Sequence, residues 1–186
     1  LKNFIIPQKT VWIYNLKHKI IGVFYRYLIK PILFQIDAES IHNKATKLGE
    51  LFENQGWLLS HLFCFKKAVL NKKLLGLEFE NPIGLAAGFD YDGHLAKVMK
   101  HVGFGFNTVG TVTAQSYNGN EFPRLARLPK SKSLLINKGF KSEGVAAVAK
   151  RLDKKNLVDH MIGISVGSSN VPSINTIDKA IEDYLF

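Results

Sequence analysis

The chain has 186 residues, of which 46% are hydrophobic and 22% charged, so it can bury a substantial core, and a globally disordered protein is excluded. Its single cysteine, Cys64, excludes a disulfide framework and a thiolate metal cluster and indicates a reducing compartment. The net charge of +10 is unevenly placed, because residues 1–75 carry 12 Lys or Arg against 4 Asp or Glu, whereas residues 76–186 carry 13 against 11.

The first predicted element is a basic, apolar helix. Residues 1–30 contain six basic side chains and no acidic one, so their partner is anionic, either nucleic acid or a membrane surface. Residues 17–34 are mostly apolar, and Lys19, Arg26 and Lys30 fall within one narrow helical stripe, which favours a helix in the headgroup layer of a membrane over one that binds nucleic acid. The uninterrupted apolar run, Ile20 to Tyr25, is too short to span a bilayer. We therefore expect peripheral attachment to a membrane, facing a reducing compartment such as the cytoplasm; a buried helix of a larger assembly is the alternative.

Two further helical segments follow in the first part of the chain. Asp37 is a suitable N-cap for a helix in which apolar residues recur at three- and four-residue spacing until about Gly56. Residues 57–70 predict a further apolar helix or turn, and residues 71–75 a linker. Residues 1–75 are therefore predicted to form a small, basic, helical module.

Strands and helices alternate in the second part of the chain, residues 76–186. Asp92 and Ser142 are each placed to cap a helix, and a last helix is expected to begin near Thr176. Two short apolar stretches before Ser142, separated by a Pro- and Lys-rich turn, predict a β-hairpin. The predicted strands cover residues 75–79, 82–88, 106–113, 124–128, 133–136 and 161–167.

This alternation argues for a parallel sheet with helices packed outside it, either a doubly wound sheet or a (β/α)8 barrel. The sequence has neither the glycine fingerprint of a dinucleotide site nor that of a P-loop. Its six histidines lack the spacing of metal ligands, and His94 and His101 are expected to be surface or packing residues. The motifs therefore leave the choice between the two folds open.

Three of the predicted strands end in small or hydroxyl residues: residues 87–88, 110–111 and 165–167. In a barrel the functional face is built from the C-terminal ends of the strands. Three such ends with little side-chain bulk suit a planar cofactor that lies across the mouth of a barrel. For the first of them, tight packing of a helix on a strand is the alternative explanation.

A set of short motifs follows in a fixed order along nearly the whole chain. Each is weak alone, but their order and spacing together are specific. In these motifs the chain resembles the class 2, quinone-dependent dihydroorotate dehydrogenases, the flavin enzymes of pyrimidine synthesis. The motifs are Phe34-Gln35-Ile36-Asp37-Ala38-Glu39 with His42, the run from Asn81 to Asp90, Gly103-Phe104-Gly105, Gly110-Thr111-Val112-Thr113, Gly119-Asn120 with Pro123-Arg124-Leu125, Ile136-Asn137 with Gly139-Phe140, Gly163-Ile164 with Gly167, and Asp183-Tyr184.

The resemblance implies an FMN-binding (β/α)8 barrel, whose first three strands lie in residues 76–186, preceded by a helical module that rests on a membrane and admits quinone. It implies oxidation of dihydroorotate to orotate: a serine base beyond Phe186 removes the C5 proton, the C6 hydride passes to the flavin, and a membrane quinone reoxidises the flavin. Neither a metal nor a nucleic-acid partner is expected. The positions that match the family's FMN contacts are Ala86, Ala87, Gly88, Thr111 and Ser165, and those that match its pyrimidine-binding positions are Tyr91, Asn137, Lys138, Gly139 and Phe140.

The chain departs from the family pattern at three points. Tyr91 stands where the family has a lysine that serves the substrate, and Ser165 stands where it has an asparagine for FMN. The loop Asn137-Lys138-Gly139-Phe140 is one residue shorter than the usual one. One hypothesis is that Lys138 partly supplies the cation that Tyr91 does not provide; the alternative is a solvated loop lysine.

A complete barrel needs roughly 250 residues, whereas 111 residues follow position 75 here. We therefore expect this chain to be the N-terminal part of a dihydroorotate dehydrogenase and to be inactive alone. Two alternatives stay open. One is a related FMN barrel that acts on another substrate, and the other is a non-catalytic membrane-binding remnant.

Overall fold

A computed structural model of the chain describes residues 8–65, 70–157 and 160–185, and over these residues the architecture is mixed α/β. The chain divides into two compact units, Leu1–His42 and Asn43–Phe186. This division differs from the domain boundary predicted after Leu75, which stays a prediction.

The first unit is helical, as the composition of residues 17–34 predicts. Helix α1 (Gln8–Phe24) continues through a π-helical turn (Tyr25–Ile29) into the short helix α2 (Lys30–Leu33). The proline of α2 lies in its first turn, where a missing backbone N–H costs little. The predicted helix is therefore confirmed.

Large apolar side chains are exposed along these helices. Trp12 is 65% exposed and Tyr27 is 72% exposed, and Ile20, Val23 and Leu28 are also at the surface. No helix in the part of the chain that the structure describes is both long and apolar enough to cross a membrane.

Helix α3 (Ala38–Leu51) begins where the sequence predicts, because Asp37 caps it. The Asp37 carboxylate accepts a hydrogen bond from the Ser40 backbone N–H at 2.8 Å, which satisfies one donor of the first turn. This bond and others from Ser40 hold the pKa of Asp37 below its ordinary value. The helix ends before Gly56, because turns at residues 52–55 lead into the next helix.

Helix α4 (Gly56–Phe63) confirms the apolar helix predicted from residue 57 onward. Residues 66–69, at the end of that predicted segment, lie outside the described residues. The predicted linker at residues 71–75 is wrong, because strands β1 (Lys72–Leu74) and β2 (Leu77–Phe79) pair there as an antiparallel hairpin. Both residues of its two-residue turn have positive φ, +51° and +81°, as a type I′ turn requires.

Strands β3 (Gly84–Leu85) and β4 (Phe106–Val112) pair in parallel, as predicted, with Gly84 opposite Phe106. A Cβ at Gly84 would lie 2.1 Å from the Phe106 ring, so glycine is required for this contact. β3 is shorter than the predicted 82–88, in part because Pro82 lacks the N–H that a ladder needs.

Turns and a 3₁₀ helix (Met99–Val102) connect β3 to β4, and the α-helix predicted after Asp92 is wrong. Asp90, not Asp92, closes the first turn, since its Oδ2 accepts the Leu95 N–H at 3.0 Å. Asp92 Oδ1 instead accepts the Glu143 N–H at 2.8 Å, 51 residues further along the chain. The segment is nevertheless buried, because its apolar side chains form one cluster: Leu95, Val98 and Met99.

Strands β5 (Leu125–Leu128) and β6 (Ser133–Ile136) form the predicted hairpin. Helix α5 (Val145–Lys154) follows. Its N-cap is Gly144, at φ +88°, and Ser142 lies two residues earlier, where its hydroxyl accepts the Gly144 N–H at 3.1 Å. Ser142 therefore orders the approach to the helix and is not its cap.

Strand β7 (Met161–Val166) pairs in parallel with the other edge of β4, which gives the strand order β3-β4-β7. Helix α6 (Ile177–Leu185) begins as predicted after Thr176, whose Oγ1 accepts the Lys179 N–H at 3.3 Å. β4 is the central strand, and its buried side chains pack with those of α5. The members of this core cluster are Ala96, Val109, Val112 and Val148.

Burial of the Asp90 carboxylate destabilises the fold when the carboxyl group is ionised. Asp90 is 2% exposed, burial raises its pKa to about 6, and its Oδ1 has no hydrogen-bond partner among the described residues. Since the pKa is higher in the folded protein than in an unfolded chain, the folded state holds the proton more tightly. The carboxyl therefore supports folding below about pH 4 and ceases to do so as the pH rises through 6.

We expect Asp90→Asn to gain stability relative to the wild type as the pH rises from about 4 to about 7, by up to about 3 kcal/mol. Asparagine keeps an acceptor for the Leu95 N–H but cannot ionise. Urea unfolding at several pH values measures the difference. Asp153→Asn, at an exposed position of α5, is the control for removing one carboxylate. A stability difference that does not change with pH would contradict this assignment.

Candidate functional site

The C-terminal ends of β3, β4 and β7 meet at one edge of the parallel sheet. The Gly88 N–H donates to Gly110 O at 2.8 Å, and the Gly110 N–H donates to Asp90 O at 3.0 Å. On the other side, Thr111 Oγ1 and Ser165 Oγ lie 3.0 Å apart in a hydrogen bond. The structure therefore brings together the three bare strand ends that the sequence singled out, with two hydroxyls between the second and the third.

The glycines of this edge serve two different purposes. A Cβ at Gly110 would lie 2.5 Å from Ser165 O, and a Cβ at Gly167 would lie 2.5 Å from Thr111 Cγ2, so both positions need glycine for close packing of the chain. Gly88 has φ +99°, and no described atom lies within 4 Å of the position of its Cβ. The tight-packing explanation therefore fits Gly110 and Gly167, whereas Gly88 borders open space.

The residues before Gly88 extend this bare surface. Ala86 and Gly88 are exposed and Ala87 is half-buried, so backbone and methyl groups form the end of β3. Thr111 and Ser165 are half-buried and supply the polar groups beside it. The edge can therefore accommodate a flat group against backbone while offering it hydroxyl hydrogen bonds.

The loop of residues 137–140 lies against the same edge. Its backbone is held at the start by the Asn137 N–H, which donates to Arg124 O at 2.9 Å. Gly139 and Phe140 both have positive φ, +66° and +56°, which reverses the chain. A Cβ at Gly167 would lie 3.7 Å from the Phe140 ring, so the loop is next to the end of β7.

Tyr91 and Lys138 are brought together by this arrangement. Lys138 Nζ lies 4.5 Å from the centre of the Tyr91 ring, in a cation–π contact, and the lysine is only 5% exposed. The alternative of a solvated loop lysine is therefore wrong, because burial and the ring contact remove Lys138 from solvent. Two of the three departures from the family pattern, Tyr91 and the shortened loop, are therefore in contact through Lys138.

A network of side-chain amides lies next to this loop, and the sequence did not predict it. Asn120 Nδ2 donates to Asn137 Oδ1 at 3.0 Å, and the Tyr117 hydroxyl donates to Asn120 Oδ1 at 2.8 Å. Asn170, which follows β7, donates to Gly139 O at 3.1 Å. Asn120 belongs to one of the family motifs, but nothing in its spacing indicates that it meets Asn137.

His94 and His101 both make side-chain contacts within the fold. His101 Nδ1 is 2.8 Å from Ser60 Oγ, and His94 contacts Glu50 and Glu143 through its two ring nitrogens. Ligand atoms of Asp92, His94 and Glu143 lie within 4.8 Å of one another, although the spacing of the histidines gave no sign of this cluster.

Arg151 shows that this cluster is an ion-pair network. Its guanidinium donates to Asp92 O at 2.6 Å and contacts the Glu143 carboxylate. Burial raises the pKa of Asp92. At Glu143 burial acts in the same direction, but hydrogen bonds from Arg151 and His94 outweigh it and lower the pKa. The network joins the loop after β3 to α5 and holds the frame of the site.

Comparison with known proteins shows which family the chain belongs to. The family model of dihydroorotate dehydrogenase matches residues 69–186. The dihydroorotate dehydrogenase (quinone) of Chloroflexus aurantiacus is 38% identical over 169 residues, which cover 88% of this chain and 46% of the relative. That of Trichormus variabilis is 37% identical over 174 residues, with 87% and 46% covered. The chain thus spans about half the length of the curated relatives that it matches.

Two solved structures agree with this result. The structure of DHODH from Eimeria tenella in complex with ferulenol has a TM-score of 0.65 and 30% identity, and the match covers 79% of this chain and 38% of that one. The ligand-free structure gives a TM-score of 0.51 and also 30% identity, with 72% and 42% covered. These neighbours are TIM-barrel enzymes, in agreement with the mixed α/β fold. This chain therefore belongs to the dihydroorotate dehydrogenase family, and its relatives from Chloroflexus and Trichormus are quinone-dependent members.

Proposed function

We propose that the protein that contains this chain oxidises dihydroorotate to orotate, with FMN as its flavin and a membrane quinone as the electron acceptor, in pyrimidine biosynthesis. The observation that carries this proposal is the meeting of three bare strand ends with the 137–140 loop at one edge of the sheet. Family membership supports the same reaction, and since the chain spans 46% of its relatives' length, the activity is proposed for the whole protein.

The residues at the sheet edge fit FMN. The open space beside Gly88 and the small side chains of Ala86 and Ala87 admit a planar ring, and the Thr111 and Ser165 hydroxyls can hydrogen-bond to its polar rim. When bound, FMN supplies the two-electron redox chemistry that protein side chains lack. Hydroxyls can both donate and accept, so Ser165 can take over part of the role of the family's asparagine.

The 137–140 loop fits the substrate end of the site. Dihydroorotate is an anion rich in carbonyl oxygens, so it needs cations and N–H donors around it. Lys138 offers an ammonium group, held over the Tyr91 ring, and Asn137 offers a side-chain amide at the surface of the loop. Phe140 adds an apolar wall beside Gly167. These groups bind and orient the substrate, while the serine base is expected beyond Phe186.

The proposed fold of the whole protein is a (β/α)8 barrel with β3, β4 and β7 as its first three strands. Their parallel pairing in chain order supports a barrel over a doubly wound sheet, in which the order reverses. On β7, Ile164 and Val166 are exposed apolar side chains that further strands would cover. Residues 76–186 would then be the start of the barrel and residues 1–75 its quinone-access module.

A peripheral membrane location is also part of the proposal. Helix α1 and the turn after it expose aromatic and aliphatic side chains, and Lys19 and Arg26, seven residues apart, lie on one helical face. Exposed apolar surface with a basic stripe is typical of helices that lie in the lipid headgroup layer. The membrane side in contact with a reducing compartment such as the cytoplasm agrees with the single free Cys64.

The second candidate function is a related FMN oxidoreductase that acts on another substrate, which the tyrosine at position 91 favours. We expect the full-length protein to carry FMN, identified by mass after release, and orotate to shift the flavin absorbance spectrum. Bound FMN without any response to orotate would favour the second candidate. Absence of flavin from protein refolded with excess FMN would favour the non-catalytic remnant.

We expect Lys138→Ala in the full-length protein to raise the KM for dihydroorotate about 10- to 100-fold, the range of one lost charge-assisted hydrogen bond. Lys150→Ala, which removes an equal charge from an exposed position on α5, is the control. Adding Tyr91→Lys to the Lys138→Ala variant should restore affinity, because it returns a cation to the neighbouring position. Unchanged dihydroorotate affinity in Lys138→Ala would refute this role.

We expect replacement of Lys19 and Arg26 by Gln to weaken binding to vesicles that contain anionic lipid by roughly 30-fold, since each basic residue near the surface contributes about 1 kcal/mol. Replacement of Lys150 and Lys154, both exposed on α5, is the matched control. Vesicle co-sedimentation at low and high salt measures the effect. Vesicle binding that falls equally for both pairs would contradict this role, because it would depend on net charge alone. Binding that does not respond to Lys19 and Arg26 would instead favour a buried helix of a larger assembly.

A further inference from the structure

Three asparagines from three different segments form a continuous hydrogen-bonded row beside the 137–140 loop. Asn170 Nδ2 lies 3.1 Å from Gly139 O and 3.4 Å from Asn120 Oδ1. Asn120 Nδ2 lies 3.0 Å from Asn137 Oδ1. The row thus leads from a backbone carbonyl of the loop to the side chain of Asn137, which is exposed at the start of the same loop.

The polarity of this row, meaning which end of each side-chain amide donates and which accepts, is determined by its contact with the backbone carbonyl of Gly139. The oxygen and nitrogen of a side-chain amide occupy similar positions, so their assignment has to follow from their partners. Gly139 O can only accept a hydrogen bond, so the Asn170 atom that faces it must be the donor Nδ2. The same Nδ2 lies near Asn120, whose facing atom must therefore be the acceptor Oδ1.

The polarity then passes on to Asn137. With Oδ1 of Asn120 directed to Asn170 and to the Tyr117 hydroxyl, Nδ2 of Asn120 is directed to Asn137. Asn137 has to meet this donor with Oδ1. The other end of the Asn137 amide, which remains to face a ligand, is the donor Nδ2. A ligand at this position therefore needs a carbonyl or carboxylate oxygen.

Asn120 is well fixed for such a role. Its backbone N–H donates to Lys138 O at 3.1 Å, and its carbonyl accepts a hydrogen bond from Arg124 Nη1 at 2.9 Å. At the other end of the row, Asp183 of α6 accepts hydrogen bonds from both the backbone N–H and the hydroxyl of Ser169, at 2.6 and 2.8 Å, next to Asn170. The row is therefore tied to the fold on both sides.

We propose that Asn120 is a positioning residue that fixes the amide polarity of Asn137, so that the site presents an N–H donor and selects a ligand with an acceptor oxygen. Asn120 acts through Asn137 and does not itself contact the ligand. The identity of that ligand rests on the proposed function, since orotate and dihydroorotate carry such oxygens, whereas the polarity of the row rests on the hydrogen bonds alone.

The test is Asn120→Asp in the full-length protein. Aspartate still accepts from Tyr117 and Asn170, but it cannot donate to Asn137, so the Asn137 amide turns its oxygen to the ligand. We expect the orotate Kd, from titration of the flavin absorbance, to rise about tenfold or more with unchanged FMN content. Asn118→Asp, an equal change at an exposed position two residues earlier, should leave the Kd nearly unchanged.

A double-mutant cycle separates positioning from a general structural role. If Asn120 acts through Asn137, then Asn120→Asp has little further effect on the Kd in an Asn137→Ala background. The proposal is overturned if Asn120→Asp leaves the Kd unchanged, or if it weakens orotate binding equally in the wild-type and Asn137→Ala backgrounds. An equal loss in Asn118→Asp would also overturn it, as an effect of charge alone.

Neutron diffraction from perdeuterated crystals of the full-length protein tests the polarity without any ligand, because it distinguishes the nitrogen from the oxygen of each amide. We expect Nδ2 of Asn137 to face the opening of the site. If Oδ1 of Asn137 faces the opening instead, the proposal is overturned, whatever the orotate titrations give. If the wild type does not respond to orotate while Nδ2 faces the opening, the proposed function fails and the positioning role stands.

Discussion

The close approach of β4 and β7 at Gly110 is the constraint on which the rest of the site depends. A side chain at this position would lie 2.5 Å from Ser165 O, so the two strands could not hold Thr111 and Ser165 within hydrogen-bond distance. The same residue accepts from Gly88 and donates to Asp90 O. One residue without a side chain therefore ties together the ends of β3, β4 and β7.

Each strand end carries a different part of the site because of this junction. The loop after β3 brings Tyr91, the segment after β4 ends at Asn137 and Lys138, and the loop after β7 brings Asn170. Because the carboxyl ends of parallel strands meet at one edge, residues 91, 138 and 170 come together without being near in sequence. Asp90 is buried at the base of the junction, where its backbone carbonyl accepts the hydrogen bond from the Gly110 N–H.

Sequence patterns predicted the parts of this structure that depend on local periodicity. Apolar runs predicted β4 and β7, Ser142 predicted a helix close to the start of α5, and the bare residues at 88, 110 and 165 predicted the edge at which the three strand ends meet. The α-helix predicted after Asp92 did not form, because Asp92 bonds to the Glu143 N–H, a partner that no local pattern can identify. The hairpin at residues 72–79 was missed because its turn begins with Leu75, which rarely adopts positive φ.

The position of Lys138 gives two of the three departures from the family pattern, at position 91 and in the 137–140 loop, a common explanation. A lysine at position 91 would place a second cation beside Lys138, and two like charges in a half-buried loop repel each other. Tyrosine removes that repulsion and offers its ring to the Lys138 ammonium at 4.5 Å, so a tyrosine at position 91 accommodates the lysine at 138. Burial of Lys138 to 5% exposure favours this pairing further, because the ring contact strengthens when the cation is removed from water.

The loop that carries Lys138 is also the one whose Gly139 carbonyl fixes the orientation of the Asn170 amide, and through Asn120 that of the Asn137 amide. The 137–140 loop thus carries both the charge and the amide donor at the proposed substrate position. The residues that hold them in place follow all three strands: Tyr91 after β3, Asn120 after β4 and Asn170 after β7.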